Sequence, residues 1–363
     1  MDTGYSFDLL VQAYHDCRHN KRTTTSALRF EQDQERNLID LHEELIDGSY
    51  RPGRSICFVI TRPKPREVWA AQFRDRVVHH LLYNQIFDRF HKRFIEDSCA
   101  CIPGRGTLWG AKRLEAKVRS QTQNWSHAAY YLKADLANFF VSIDKRVVWP
   151  LLAKRIIEPF WRDLAHLILF HDPRENYEYQ GSAELIDLVP PHKRLLNAPA
   201  HHGLPIGNLS SQFFANVFLN ELDQYVKHTI RARHYIRYVD DFVILHESAQ
   251  WLNDALEQIE TFLPGLQLAL NPSKTIIQPV SRGVDFAGHV IKPWRTEVRR
   301  RTVRAALSRI AATPKGKTLE TINSYLGMMR HADAHHDRAK IANAARKRGH
   351  CIDAGLTKAF RRA

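Results

Sequence analysis

The stretch that most constrains this chain is His234-Tyr235-Ile236-Arg237-Tyr238-Val239-Asp240-Asp241-Phe242-Val243-Ile244-Leu245. Two β-branched and aromatic runs flank a pair of adjacent acids, which predicts a strand, a tight turn and a second strand. Carboxylates in so apolar a hairpin are costly to keep charged unless a cation lies between them. An ordinary turn is the competing explanation, because Asp is a favoured turn residue. A third carboxylate in a similar strand-end setting decides between the two.

Asp135 is that third acid. It ends the predicted strand 128–136, and Phe139-Phe140 follow it. Mg²⁺ takes oxygen ligands and keeps positions open for substrate phosphates. Two such ions about 4 Å apart can activate a 3′-hydroxyl and stabilise leaving pyrophosphate. Asp135, Asp240 and Asp241 on neighbouring strand ends meet that need, with Mn²⁺ as an alternative ion. No Cys or His cluster competes. Cys17, Cys57, Cys99, Cys101 and Cys351 form no zinc spacing and no even disulfide framework, so buried free thiols are expected.

The formal charge is +14. From Lys292 to Ala363 there are 18 Lys or Arg against 5 Asp or Glu, so the excess is C-terminal. A solvated basic face would explain this, but the asymmetry favours a nucleic-acid partner. Met1-Asp2-Thr3-Gly4 lacks a signal pattern, and no apolar run reaches membrane-spanning length. A cytoplasmic setting without a membrane partner is the expectation.

Along the chain, helices are expected over 6–20, 32–47 and 74–90, the last burying Val77, Val78, Leu81, Leu82, Ile86, Phe87 and Phe90. The second carries a stripe of Leu38, Ile39, Leu41, Leu45 and Ile46. Arg62, Lys64 and Arg66 alternate in a stretch that reads as extended, which would put three cations on one face. That face suits a triphosphate; a charged edge strand protected against pairing explains it as well. Ile102-Pro103-Gly104-Arg105-Gly106-Thr107 opens a helix near Leu108, and Asp144 caps one near Lys145. Residues 171–202 read as an insertion or long loop. Gly203-Leu204-Pro205-Ile206-Gly207-Asn208 then leads into a helix over 211–228, with Gly and Pro allowing close backbone approach to a flat ligand. Residues 249–263 read as helical and 266–279 as extended. The segment 284–291 reads as a hairpin, and basic helices are expected over 299–312, 318–331 and 338–347.

These residues carry a family resemblance. Tyr238-Val239-Asp240-Asp241 resembles the Tyr-x-Asp-Asp box of reverse transcriptases, and Asp135-Leu136-Ala137-Asn138-Phe139-Phe140 resembles the motif holding their third aspartate. The order of motifs matches from about residue 30 to 292. The run Ile206-Gly207-Asn208-Leu209-Ser210-Ser211-Gln212 is similar to the Ile-Gly-x-x-x-Ser-Gln signature of diversity-generating retroelement enzymes, where most relatives carry Gln-Gly.

The resemblance implies an α+β right-hand polymerase: an N-terminal helical segment 1–50, fingers 51–127, a palm 128–292 with a fingers insertion about 145–212, and a basic helical thumb 293–363. It implies two Mg²⁺ ions on Asp135, Asp240, Asp241 and the Leu136 carbonyl. It implies dNTP contacts at Lys64, Arg66, Leu136, Phe140, Ile206 and Gly207. Phe140 takes the steric-gate position and can also be a core aromatic. Lys274 matches a general acid for pyrophosphate, with a plain surface lysine as the alternative. Phe286 and Gly288 fall at the primer grip. The implied function is RNA-directed DNA polymerisation of low fidelity, directed at template adenines. Implied partners are template RNA, the RNA/DNA heteroduplex, dNTPs and a small basic accessory protein. A retron, group II intron or phage-defence enzyme, or a non-catalytic RNA-binding scaffold, are the competing readings.

Overall fold

A computed structural model describes residues 4–19 and 23–361. The first three residues of the Met1-Asp2-Thr3-Gly4 stretch and residue 20, the end of the first expected helix, lie outside them. Among the described residues every strand pair but one runs antiparallel, and helices outnumber strands, so the α+β expectation holds. No helix is long and apolar enough to cross a membrane. The chain forms two compact units, each drawn from separate stretches of sequence.

The first unit takes Met1–Glu96, Leu136–Thr229 and Ile259–Asn271. Its centre is the helix Leu209–Gln224, in which Phe213, Phe214, Phe218, Leu219 and Leu222 are all buried. A helix apolar on every side belongs inside a core. Beside it runs Phe73–His91, which buries Val77, Val78, Leu81, Leu82, Ile86 and Phe90 as its three-and-four spacing predicts, whereas Phe87 of the expected stripe is only half-buried. The rings of Phe90 and Phe213 meet edge-on at 5.5 Å.

A small sheet pairs Ser55–Ile60 with Arg66–Ala70 antiparallel and with Tyr177–Tyr179 parallel. Residues 171–202 are more structured than their composition suggests. Buried Glu67 reaches across to them, accepting the Leu195 N–H at 2.7 Å and the Trp69 indole N–H at 3.1 Å.

The second unit takes Asp97–Asp135, Ile230–Gln258 and Pro272–Ala363. Its main sheet has the strand order His234–Tyr238, Asp241–His246, Tyr130–Asp135, Ile276–Pro279. Leu114 and Val118 of the helix Thr107–Gln121 share one core with Tyr131, Ile236, Val243 and Leu245. A second sheet joins Val284–Phe286, His289–Lys292 and Arg295–Val298. Arg300–Ala312, Lys315–Met329 and His335–Lys347 enclose a separate core around Val303, Ile310, Ile322, Leu326 and Ile341. Each fully buried aliphatic side chain there contributes roughly 1.5–3 kcal/mol by leaving water.

Several local expectations need correcting. Cys101 and Cys351 are exposed, while Cys17, Cys57 and Cys99 are buried. Ile39 and Ile46 lie outside the buried stripe, at 48% and 64% exposure. Within 266–279 only Ile276–Pro279 is a strand, because Pro264 and Pro272 favour the tight turns Leu263–Leu266 and Pro272–Lys274. The hairpin of His350–Ile352 and Ala359–Arg361 was not foreseen; its strands are too short to carry a period.

Candidate active site

The Asp-Asp turn is held by an arginine on its own strand. Arg237 is fully buried. Its guanidinium donates to the Val239 carbonyl at 3.0 Å and to Ser98 Oγ at 3.1 Å. Its backbone N–H donates to the Asp97 carbonyl at 3.0 Å, and its carbonyl accepts the Cys99 N–H at 2.9 Å. The Asp97 carboxylate in turn takes Arg113 and Lys117, each at 2.7 Å. Val239 sits at φ 55°, a left-handed conformation costly for a β-branched residue. This network supports that conformation.

Asp135 and Asp241 stand opposite one another in the antiparallel ladder. Asp135 Oδ1 accepts Lys274 Nζ at 2.6 Å, and Asp241 Oδ2 lies 3.2 Å from Lys133 Nζ. Asp241 Oδ1 is buried with no hydrogen-bond partner. Burial pushes the Asp241 carboxyl up to about 6; Asp135 and Asp240 add to the rise, and Lys133 opposes it. Oxygen donors with one orphaned lone pair fit a hard divalent cation. Among the described residues, however, no group of three or more His, Cys, Asp or Glu is assembled as a metal site. The two lysines engage the strand acids, and Asp240 lies on the turn beside them.

Lys274 ends the tight turn Pro272–Lys274, which brings its ammonium to Asp135. Phe286 is fully buried, meeting Tyr238 edge-on at 6.5 Å. It supports the hairpin from within. The hairpin tip itself is Ala287-Gly288, both at positive φ.

The residues expected to meet a triphosphate belong to the first unit. Arg66 opens the strand Arg66–Ala70 and is exposed. Arg62 and Lys64 are exposed in the turn that precedes it, so the three cations do not alternate along one strand face. Pro63 and Pro65 supply no N–H donor to a ladder, and the chain turns back there. The Ile206 loop docks against this same strand. Trp69 N–H donates to the Ile206 carbonyl at 2.7 Å, and Ala71 N–H to Asn208 Oδ1 at 3.0 Å. Gly207 lies at φ 126°, and a Cβ there would fall 2.9 Å from Val68 Cγ1. Phe140, in the short helix Phe139–Ser142, is half-buried, and its carbonyl accepts the Leu204 N–H at 2.8 Å. Leu136 is buried, bridged to Leu270.

Residues 62–291, more than half of the chain, match the family described as reverse transcriptase (RNA-dependent DNA polymerase). The chain belongs to the reverse transcriptase family. No curated protein matches it in sequence. Among solved structures, this reverse transcriptase is similar to an apo telomerase from Candida tropicalis truncated from its C-terminal domain. Identity is 10%, the TM-score is 0.50, and the match covers 68% of this chain and 55% of that one. A telomerase from Candida albicans in complex with a TWJ fragment of telomeric RNA matches at 12% identity and TM-score 0.43, over 81% and 56%. The chain spans about half the length of these structures.

Sequence reasoning missed Lys133, Arg237 and the Asp97 pairs of this reverse transcriptase. The available signal was a lone cation inside each of two apolar strands, since Lys and Arg are buried only when partnered.

Proposed function

We propose that this reverse transcriptase copies a template RNA into cDNA with low fidelity, directed at adenines, for a diversity-generating retroelement. The observation that carries the polymerase reading is Asp135 in register with Asp241, whose second oxygen is buried without a partner. The retroelement reading rests on Ile206-Gly207-Asn208-Leu209-Ser210-Ser211-Gln212.

In this reading Asp135, Asp240, Asp241 and the Leu136 carbonyl hold two Mg²⁺ ions. Those ions, when bound, would activate the primer 3′-hydroxyl and stabilise the leaving pyrophosphate. Binding them requires Lys274 to yield Asp135 Oδ1, whereas Asp241 already offers its unpartnered Oδ1. Lys274 is then close to the site and free to protonate pyrophosphate. Arg66 and Lys64 meet the triphosphate, Arg66 through a guanidinium suited to bidentate contact. Phe140 excludes a ribose 2′-hydroxyl. Ile206 and Gly207 line the nascent pair with shape alone, without a side-chain hydrogen bond. The hairpin tip at Gly288 meets the primer, and residues 293–363 grip the heteroduplex. A small basic accessory protein and a cytoplasmic setting complete the proposal.

The test is Mg²⁺-dependent dNTP incorporation on an RNA template, followed by product sequencing. Errors concentrated at template adenines support the reading. Faithful copying points to a retron, group II intron or phage-defence type, and no incorporation by the chain with its partners points to a scaffold.

A further inference from the structure

Lys133 has no part in the roles above, yet it joins two sheets of the second unit. It lies two residues before Asp135, on the same strand face. Its ammonium donates to the Asp285 carbonyl at 2.6 Å and lies 3.2 Å from Asp241 Oδ2, with only 16% of the side chain exposed. Asp285 is the middle residue of Val284–Phe286, the strand that leads to the Gly288 tip. Its carboxylate pairs with Arg299, the residue that precedes the helix Arg300–Ala312. Asp241, Lys133, Asp285 and Arg299 therefore form one connected line.

We propose that Lys133 is a positioning residue that fixes the acid pair relative to the Gly288 hairpin. An ammonium has three donors, so it can hold a carboxylate on one sheet and a carbonyl on the next at once. A cation that merely stood in for a metal ion beside Asp241 would need no second acceptor. The Asp285 carbonyl is that second acceptor, and Arg299 fixes the residue that bears it. The hairpin, and with it a primer end lying on its tip, is thereby kept at one distance from Asp241. Misplacement by about 1 Å in such a site costs about a hundredfold in rate. The inference rests on the polymerase reading for its consequence, not for the brace itself.

The full chain would be compared as wild type, K133M, R299Q and the double variant. Single-nucleotide incorporation on an RNA template should show kcat at least 20-fold lower in K133M, with the dNTP KM within threefold. R299Q should lose about fivefold. The double variant should be no slower than K133M, because one brace is broken once. Multiplied losses, or a K133M kcat within twofold of wild type, would overturn the proposal. So would a tenfold gain in Mn²⁺ affinity with kcat unchanged, which is the behaviour of a stand-in cation.

Hydrogen exchange reads the brace without any catalysis. K133M should speed exchange across residues 284–292 at least tenfold and leave Thr107–Gln121 unchanged. Unchanged exchange at 284–292, or faster exchange throughout the second unit, would equally overturn it. If the wild type incorporates nothing while K133M loosens 284–292 alone, the polymerase reading fails and the brace stands.

Discussion

The guanidinium of Arg237 donates to the carbonyl of Val239, so the strand that leads into the Asp-Asp turn also clamps it from below. Replacing Arg237 with Met keeps the bulk and removes the donors. The Val239 carbonyl and Ser98 Oγ then lose their partner, at about 1–3 kcal/mol for each buried unsatisfied group. Urea unfolding of R237M should show a loss of about 2–6 kcal/mol, with incorporation down at least tenfold. Arg237→Lys should recover only part of this, because one ammonium does not reproduce the guanidinium fork.

The half-buried carboxyl of Asp241 sets a pH dependence. Its native value of about 6 lies above the ordinary carboxylate value of 3.8. Between those two values the native state binds more protons than the unfolded state, so stability falls as pH rises from about 4 to about 6. A divalent cation favours the ionised form and removes this penalty. Metal-free wild type should therefore lose stability across that window relative to D241N, and saturating Mg²⁺ should flatten the difference. Apparent Mg²⁺ affinity should rise with pH through about 6. A D241N pH profile identical to wild type without metal would contradict this account.

Gly207 is required by its surroundings. A methyl group there meets Val68 Cγ1 at 2.9 Å and the Trp69 carbonyl at 3.1 Å, at a φ that side chains avoid. Gly207→Ala should cost about 2 kcal/mol or more, since the strained backbone and the overpacked contact each cost about 1–3 kcal/mol. The hydrogen bond from Trp69 N–H to Ile206 should weaken with it, which amide exchange at Trp69 would report. Unaltered stability and exchange would mean that the loop moves freely off its strand.

Features legible in the sequence were those written by local spacing. The buried stripe of Phe73–His91, the Asp144 side chain accepting the Arg146 N–H at 2.8 Å, and the hairpin around Asp240-Asp241 all follow from neighbours within a few residues. What pairs each acid did not. Lys274 lies 139 positions from Asp135, and Arg237 lies 139 from Ser98, so only the folded chain brings them together. The alternating Arg62, Lys64 and Arg66 misled for a different reason. Period-two reasoning presumes an unbroken strand, and Pro63 and Pro65 turn the chain between them.

The thumb assignment can be read through salt. Arg300, Arg301 and Arg304 are exposed on the helix Arg300–Ala312. If they contact phosphates, changing all three to Gln should weaken heteroduplex binding at every sequence alike. The slope of log affinity against log salt should also become shallower by about 2–3, at roughly 0.7–0.9 per lost contact. Fluorescence anisotropy between 50 and 300 mM salt measures both. Removing residues 293–363 altogether should abolish duplex binding at moderate salt, whereas retained affinity would assign those helices to a protein partner.

Ile206 carries the last and most discriminating prediction. Its backbone is anchored by the bond from Trp69, so a change of side chain alters chemistry at the site without moving the loop. In the proposed reading, an isoleucine there judges a base pair only by shape. Discrimination by apolar contact is worth about 1–3 kcal/mol, whereas an unmet buried hydrogen bond rejects a wrong substrate by factors of about 10⁴. Ile206→Gln restores a polar group at that position. Sequenced cDNA from an RNA template should show misincorporation at adenines reduced at least threefold, with stability within about 1 kcal/mol of wild type, as expected of a half-buried substitution that breaks no packing. An unchanged error spectrum would separate Ile206 from fidelity.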